Sequence, residues 1–519
     1  MSSEAQEARP GAGGGDAFAD EQRHRMVKSL RLFDLIFFGI ATVVSLDTIG
    51  QISSFGAETF TWMLLLVPLF VVPYAWIMSE MSGAFAQEGG PYYWMRLAFG
   101  RGWAGLGAVL YWITNPLWLG GSLCFIATET FSSQISHLAS GSLLDYVFKL
   151  GFVWVGILVA VMSLRRGKWI PSVGAFVKIG LVAIVSVTVV IYAIKHGVHG
   201  YALKDFFSPT AAGFLGAVPV LVFALSGFEC GTAASDEMED ARRDGPVYIM
   251  RSASISVLCY LIPVLAVLLV VPASKITGVA GFMDAVSTTF SVYGGAQDAL
   301  VKLAGLAFIF TLLTQGAAWM MGSDRVLAAA GIDGTFPRWI GEFHPRLGTP
   351  VRVNLFSGAV ATAFVIVAQN LTSGDAGTTF AIVLTVAIST VLMSYLIIYP
   401  SVLVLRRTMP DVPRPFVVPY GMTGLRLATG AATFFALLGS WVALFPGTLE
   451  SLLGVDYDFH ETWGVSRARF ELLTLGTVAV IVVLTLVGLA AGRAERRREG
   501  LVEEGAVVVA AEPEASLSA

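Results

Sequence analysis

Residues 33–55 read FDLIFFGIATVVSLDTIGQISSF, and the stretch Val43-Val44-Ser45-Leu46-Asp47-Thr48-Ile49-Gly50 at their centre decides the fold. The run is long enough to enter a membrane, yet it is interrupted halfway by an acid, two hydroxyls and a glycine. A charge at mid-membrane costs about 2.5 to 3.5 kcal/mol on insertion scales, so Asp47 is expected to face a bundle interior or a wet cavity. A second apolar run is broken in a similar way at Ser226-Gly227-Phe228-Glu229-Cys230-Gly231. Paired interruptions in corresponding places of two halves point to the binding site of a secondary transporter.

The rest of the chain agrees with a membrane setting. Of 519 residues, 55% are hydrophobic and 13% charged, and the mean hydropathy is +0.72, whereas soluble domains carry about 25% charge. The formal net charge of -4 gives no reason to expect a nucleic-acid partner. Cys124, Cys230 and Cys259 lie in apolar segments without metal-site spacing and read as buried small residues. Met1 to Asp20 has no apolar core, so no cleavable signal is expected, and the first span is left to direct insertion.

An all-α polytopic protein with twelve spans is expected, at 32–54, 59–84, 102–130, 144–164, 171–194, 212–236, 247–272, 299–330, 352–370, 377–405, 423–446 and 470–491. With both termini on one side, that side holds 25 lysines and arginines against 7 opposite. The bias places both termini in the cytoplasm, and the expected location is the plasma membrane. Residues 1–22 and 499–519 read as disordered tails around a transport domain at 23–498. The outer loop at 447–468 suggests a short interfacial helix.

Four further stretches carry a resemblance: "RLFDLIFFGI", Glu80 with "FAQEGGPYYWMRLAFG", "FALSGFE" followed by "DARRDGP", and "SDRVLAAAGIDGTFPRWIGEFHPRLGTPVRVN". In this order they resemble the amino acid–polyamine–organocation (APC) superfamily of permeases over residues 28–420. The resemblance implies a LeuT-like fold of two inverted five-helix repeats, here 32–194 and 212–405, plus two helices at 423–491, with the first and sixth helices broken.

Unwinding a helix in mid-membrane frees peptide groups that only a cavity, a ligand or neighbouring protein can satisfy. A half-helix N-terminus suits a carboxylate, and opposing carbonyls suit an ammonium. In the superfamily a Gly-Ser-Gly-like triplet receives the carboxylate. Counted from Gly39 it falls on Ser45, Leu46 and Asp47, with neither flanking glycine present. Val43, Ser45, Leu46, Asp47 and Thr48 are therefore the candidate substrate contacts of the first break. Asp47 reads either as a counter-charge or proton carrier, or as a cap for the second half-helix.

In the sixth span the resemblance puts Phe223, Ala224, Leu225 and Ser226 at substrate-facing positions, with Gly227 and Gly231 permitting the break. Phe223 matches a gating aromatic, or packs in the core. Glu229 matches a glutamate that senses protons or ties the broken helices together. Lys178, in "GAFVKIGLVAIV", matches a lysine that replaces a sodium ion in proton-coupled members. The alternative is that it snorkels to the inner surface. Trp319 matches an eighth-helix aromatic at the pocket, and Asn115 and Trp118 flank Pro116 in the third span.

The leading expectation is a secondary transporter moving amino acids by alternating access, coupled to protons through Lys178, Glu229 and Asp47. A polyamine or cationic-amine transporter, or an exchanger, is the alternative. A GxxxxGK[ST] loop is absent from the sequence, as are HExxH, GxSxG and a GxGD partner for Asp47, so neither direct ATP drive nor intramembrane catalysis is expected. The expected partners are a small-molecule substrate, the proton and the bilayer, with no cofactor or metal, in a monomer or homodimer.

Overall fold

The computed structural model describes residues 14–26, 28–162, 169–272, 276, 281–371 and 376–499. Their regular structure is helical, apart from an isolated bridge between Leu30 and Met238. In chain order, α1 (Gly14–His24) precedes the first span, which is split into α2 (Leu32–Val43) and α3 (Leu46–Ser54). Next come α4 (Glu58–Leu66) and α5 (Val72–Ala84), then α6 (Gly90–Trp118) and α7 (Cys124–Gln134). Each of those pairs is joined through a π-turn, at Val67–Val71 and Leu119–Leu123. They are followed by α8 (Leu143–Val161), α9 (Trp169–His196), the short α10 (Leu203–Phe206) and α11 (Ala211–Ala224). After a 3₁₀ segment at Cys230–Glu237 come α12 (Ala241–Val270), α13 (Gly281–Thr289), α14 (Gln297–Ile332) and α15 (Val351–Leu371). The chain ends in α16 (Ala376–Thr408), α17 (Gly421–Leu444), α18 (Thr448–Leu452), α19 (Phe459–Trp463) and α20 (Arg467–Arg498).

Among the described residues, eleven helices are long and apolar enough to cross a membrane. The expected span at 212–236 is not one of them, because it stops at Ala224 and resumes only as the 3₁₀ segment. Gly227, at φ +102°, makes that turn. The third span was expected from 102, but helix begins at Gly90. Gly100 (φ 81°, ψ 179°) divides it, so that Gly90–Phe99 is a separate piece before the crossing.

The expected disorder of residues 14–22 is corrected too, since α1 covers them. The sequence there has no apolar stripe, and tertiary contacts hold the helix instead. Gln22 is buried and accepts from the Phe343 N–H at 2.9 Å, and the Arg338 guanidinium lies over the Phe18 ring. Residues 1–13 and 500–519 of the two expected tails lie outside the described residues.

The helices pack around α6, against which α14 and α16 lie, while α12 packs on α2 and α5. Large apolar side chains such as Ile184, Val187, Leu258, Leu306 and Val483 face outward and are exposed, a belt that suits lipid. The face that carries α1 is clamped by ions. Glu80 on α5 is buried against Arg406, lies 3.4 Å from Arg414 Nε, and accepts from the Val418 N–H at 2.9 Å. On the same face the chain just before α2 is stitched to the 3₁₀ segment. The Ser29 and Leu30 N–H groups donate to the Glu237 carbonyl, and the Glu239 N–H donates to the Leu30 carbonyl, all at 2.9 to 3.0 Å.

Candidate functional site

The first break consists of Val44 and Ser45, both extended (φ -70°, ψ 109° and φ -114°, ψ 110°). Their peptide groups find partners on other helices. Tyr260 of α12 serves both sides of the gap: its hydroxyl donates to the Val43 carbonyl at 2.8 Å and accepts from the Ser45 N–H at 2.8 Å. Thr48 Oγ1 donates to the Ser45 carbonyl at 2.8 Å and lies 3.2 Å from the same phenol. Lys178 on α9 is fully buried and does not reach for the surface. Its ammonium donates to the Ala41 carbonyl at 2.9 Å, to the Val44 carbonyl, and to Gln315 Oε1 at 3.1 Å. A lysine has three N–H donors, so all of them are engaged on the open carbonyl end of α2 and its neighbour.

Asp47 sits in the first turn of α3 and is buried. Its Oδ1 accepts from the Ser45 hydroxyl, and the backbone N–H groups of Asp47 and Thr48 also act on the carboxylate. Oδ2 has no partner with hydrogen-bond geometry. The carboxylate is therefore placed as a cap would be, with one acceptor still open. Its charge acts on Lys178 across the break.

The second break repeats the pattern. The hydroxyl of Tyr74 on α5 accepts from the N–H groups of Gly227 at 2.8 Å and Phe228 at 3.1 Å, and it donates to Glu229 Oε2. Tyr395 donates to Glu229 Oε1 at 2.9 Å. Glu229 is thus tied to α5 and α16 by phenols. Ser226 turns its hydroxyl back onto the Val222 carbonyl, so the donor expected to face substrate is used within its own helix.

Trp319 of α14 brings the two breaks together. Its Nε1–H donates to the Thr42 carbonyl at 2.7 Å, and its ring covers Gly227, where a Cβ would meet Cη2 at 2.6 Å. Trp118 stands edge-on to Trp319 (6.4 Å between centroids) and to Phe223 (5.5 Å). The Trp118 Nε1–H and Asn115 Oδ1 are buried without partners. Ser45, Asp47, Thr48, Phe223, Ala224, Ser226 and Trp319 are all buried, as are Val43 and Leu46.

Sequence reasoning missed Tyr74, Tyr260 and Gln315, which satisfy the breaks from outside them. Nothing in the sequence distinguishes those two tyrosines from packing aromatics.

A family model described as amino acid permease matches residues 30–455. Among curated proteins, the probable agmatine/putrescine antiporter AguD of Lactococcus lactis is 26% identical over 390 residues, covering 75% of this chain and 82% of that protein. Cationic amino acid transporter 4, vacuolar, of Arabidopsis thaliana is 23% identical, covering 75% and 65%. The branched-chain amino acid permease BcaP of Bacillus subtilis is 23% identical over 299 residues, covering 57% of this chain and 59% of that protein.

Proposed function

Since the chain belongs to the amino acid permeases of the APC superfamily, and so transports amino acids or amines across a membrane, we propose that it carries a small organic cation, an amine or a basic amino acid, by alternating access. One observation carries the choice. At the broken first span the buried cation is fully engaged, while the buried anion keeps an acceptor open. A site with Asp47 Oδ2 unpartnered and the Lys178 donors all in use favours a ligand that brings its own N–H⁺ groups, because an unpaired buried charge is costly. Trp319, Trp118 and Phe223 add aromatic faces, which attract cations. The names of the antiporter and of the cationic amino acid transporter point the same way.

The eleven long helices and the split sixth span support twelve crossings, and with that even number the lysine and arginine bias supports cytoplasmic termini; family membership supports the two inverted repeats. Lys178 supplies a tethered positive charge to the carbonyl end of α2, which supports coupling to protons or exchange of one amine for another, without sodium.

The test is uptake of labelled agmatine into proteoliposomes, with putrescine, γ-aminobutyrate and leucine as competitors. Agmatine is expected to enter, with putrescine competing and leucine not. Asp47→Asn is expected to lower uptake at least tenfold, about 1.4 kcal/mol of lost binding or more. Competition by leucine alone, or wild-type uptake and pH dependence in Asp47→Asn, sinks the proposal.

A further inference from the structure

On the face that carries α1, three charged side chains from different elements are buried together. Arg325 on α14, Glu88 in the turn before α6 and Glu237 at the end of the 3₁₀ segment have side-chain exposures of 1%, 3% and 5%. Arg325 Nε lies 3.1 Å from Glu88 Oε1, and Nη2 lies 2.6 Å from Glu237 Oε1. Its Nη1 donates to the Met321 carbonyl at 2.8 Å. One guanidinium therefore faces two carboxylates, leaving one negative charge in excess if both are ionised.

The surroundings do not cancel that excess. Asp236 adds another carboxylate, and its N–H points at Glu88 Oε2 from 3.4 Å. Arg23 of α1 interacts with Tyr93 and Asp236, and Lys28 acts on Asp236 as well. Asp324, beside Arg325 on α14, is held by Asn354 and Ser357. A buried excess charge is expensive, and a carboxylate pair removes it by keeping one proton. Burial first, then Glu237 and Asp236, hold the Glu88 carboxyl well above the usual carboxylate range, against the pull of Arg325. Burial raises Glu237 as well.

We propose that Glu88, Glu237 and Arg325 form a proton-binding site that is loaded while this face is closed and emptied as it opens. Glu88, in the turn before α6, and Arg325 on α14 stay together, whereas Glu237 moves with the segment beyond the second break. Its departure leaves Arg325 and Glu88 as a one-to-one pair that needs no proton. It also admits water to the Glu88 carboxyl, whose O–H bond breaks and whose proton passes to water on that side. The proposal rests on the alternating-access reading above, and not on the substrate.

The experiment is hydrogen–deuterium exchange of the full chain in nanodiscs between about pH 5 and 8, read at the amides of residues 230–238 and corrected for intrinsic exchange chemistry. Because opening is linked to the loss of one proton, exchange in the wild type is expected to rise with pH, by up to about tenfold per unit. Glu88→Gln and Glu237→Gln imitate the protonated acid and are expected to flatten that slope. A flat wild type, or a wild-type slope retained in either variant that folds, overturns the proposal. A protein that keeps the slope yet moves no amine counts against the substrate reading alone.

Discussion

Lys178→Met keeps the length of the side chain and removes its ammonium, which makes it a direct probe of the first break. The substitution strands the Ala41 and Val44 carbonyls and Gln315 Oε1 in a fully buried place. Each stranded acceptor costs about 1–3 kcal/mol. Removing the ammonium also removes its own desolvation, so the lower end of the sum is expected, a loss of about 3 kcal/mol. Unfolding entropy near 2.1 cal/mol/K per residue, over a chain of 519 residues, gives roughly 1 kcal/mol per degree. The midpoint should therefore fall by about 3 °C. The assay is thermal unfolding followed by tryptophan fluorescence in one detergent at one pH, paired with uptake under an imposed pH gradient. A stability change under about 0.5 kcal/mol, the scale of an ordinary surface substitution, would show that the ammonium does not hold the broken end. Unchanged uptake under the gradient would separately remove Lys178 from proton coupling.

Three other substitutions test the same frame. Tyr260→Phe deprives the Val43 carbonyl and the Ser45 N–H of their shared partner. It should cost about 2 kcal/mol or more in thermal unfolding, and an unchanged midpoint would contradict the bridging role. Gly227→Ala adds a Cβ at φ +102° against the Trp319 ring. Uptake should fall with a stability loss of about 1–3 kcal/mol, and wild-type behaviour would show that the turn tolerates side chains. Glu80→Gln leaves Arg406 and Arg414 facing a neutral amide. A loss of about 3 kcal/mol is expected in the same unfolding assay, and a loss no larger than that of a surface glutamate would show that the clamp carries little.

Both breaks were legible because each puts polar or glycine residues inside a run that lipid would otherwise keep apolar. Lys178 was legible as a misplaced charge, although the sequence alone left open whether it turned inward. Its partners were not legible. Tyr74 is 153 residues from the Gly227 N–H it receives, and Tyr260 is 215 from Ser45. Whether a tyrosine in an apolar helix packs or hydrogen-bonds is decided by which helix lies beside it, and local sequence does not encode that. Ser226 erred in the opposite direction, since its hydroxyl had a nearer acceptor in its own helix. The folding of residues 14–22 was hidden for a similar reason, because Gln22 and Phe18 are anchored by residues more than three hundred positions away.

The backbone bonds from Ser29, Leu30 and Glu239 act over a very short tether, since α2 begins two residues after Leu30. Tilting the near end of α2 therefore drags the 3₁₀ segment with it, and the reverse holds. The two pieces are therefore expected to tilt as one unit wherever either of them moves. Spectroscopic labels on either piece should then report the same rate constant, in synchrony.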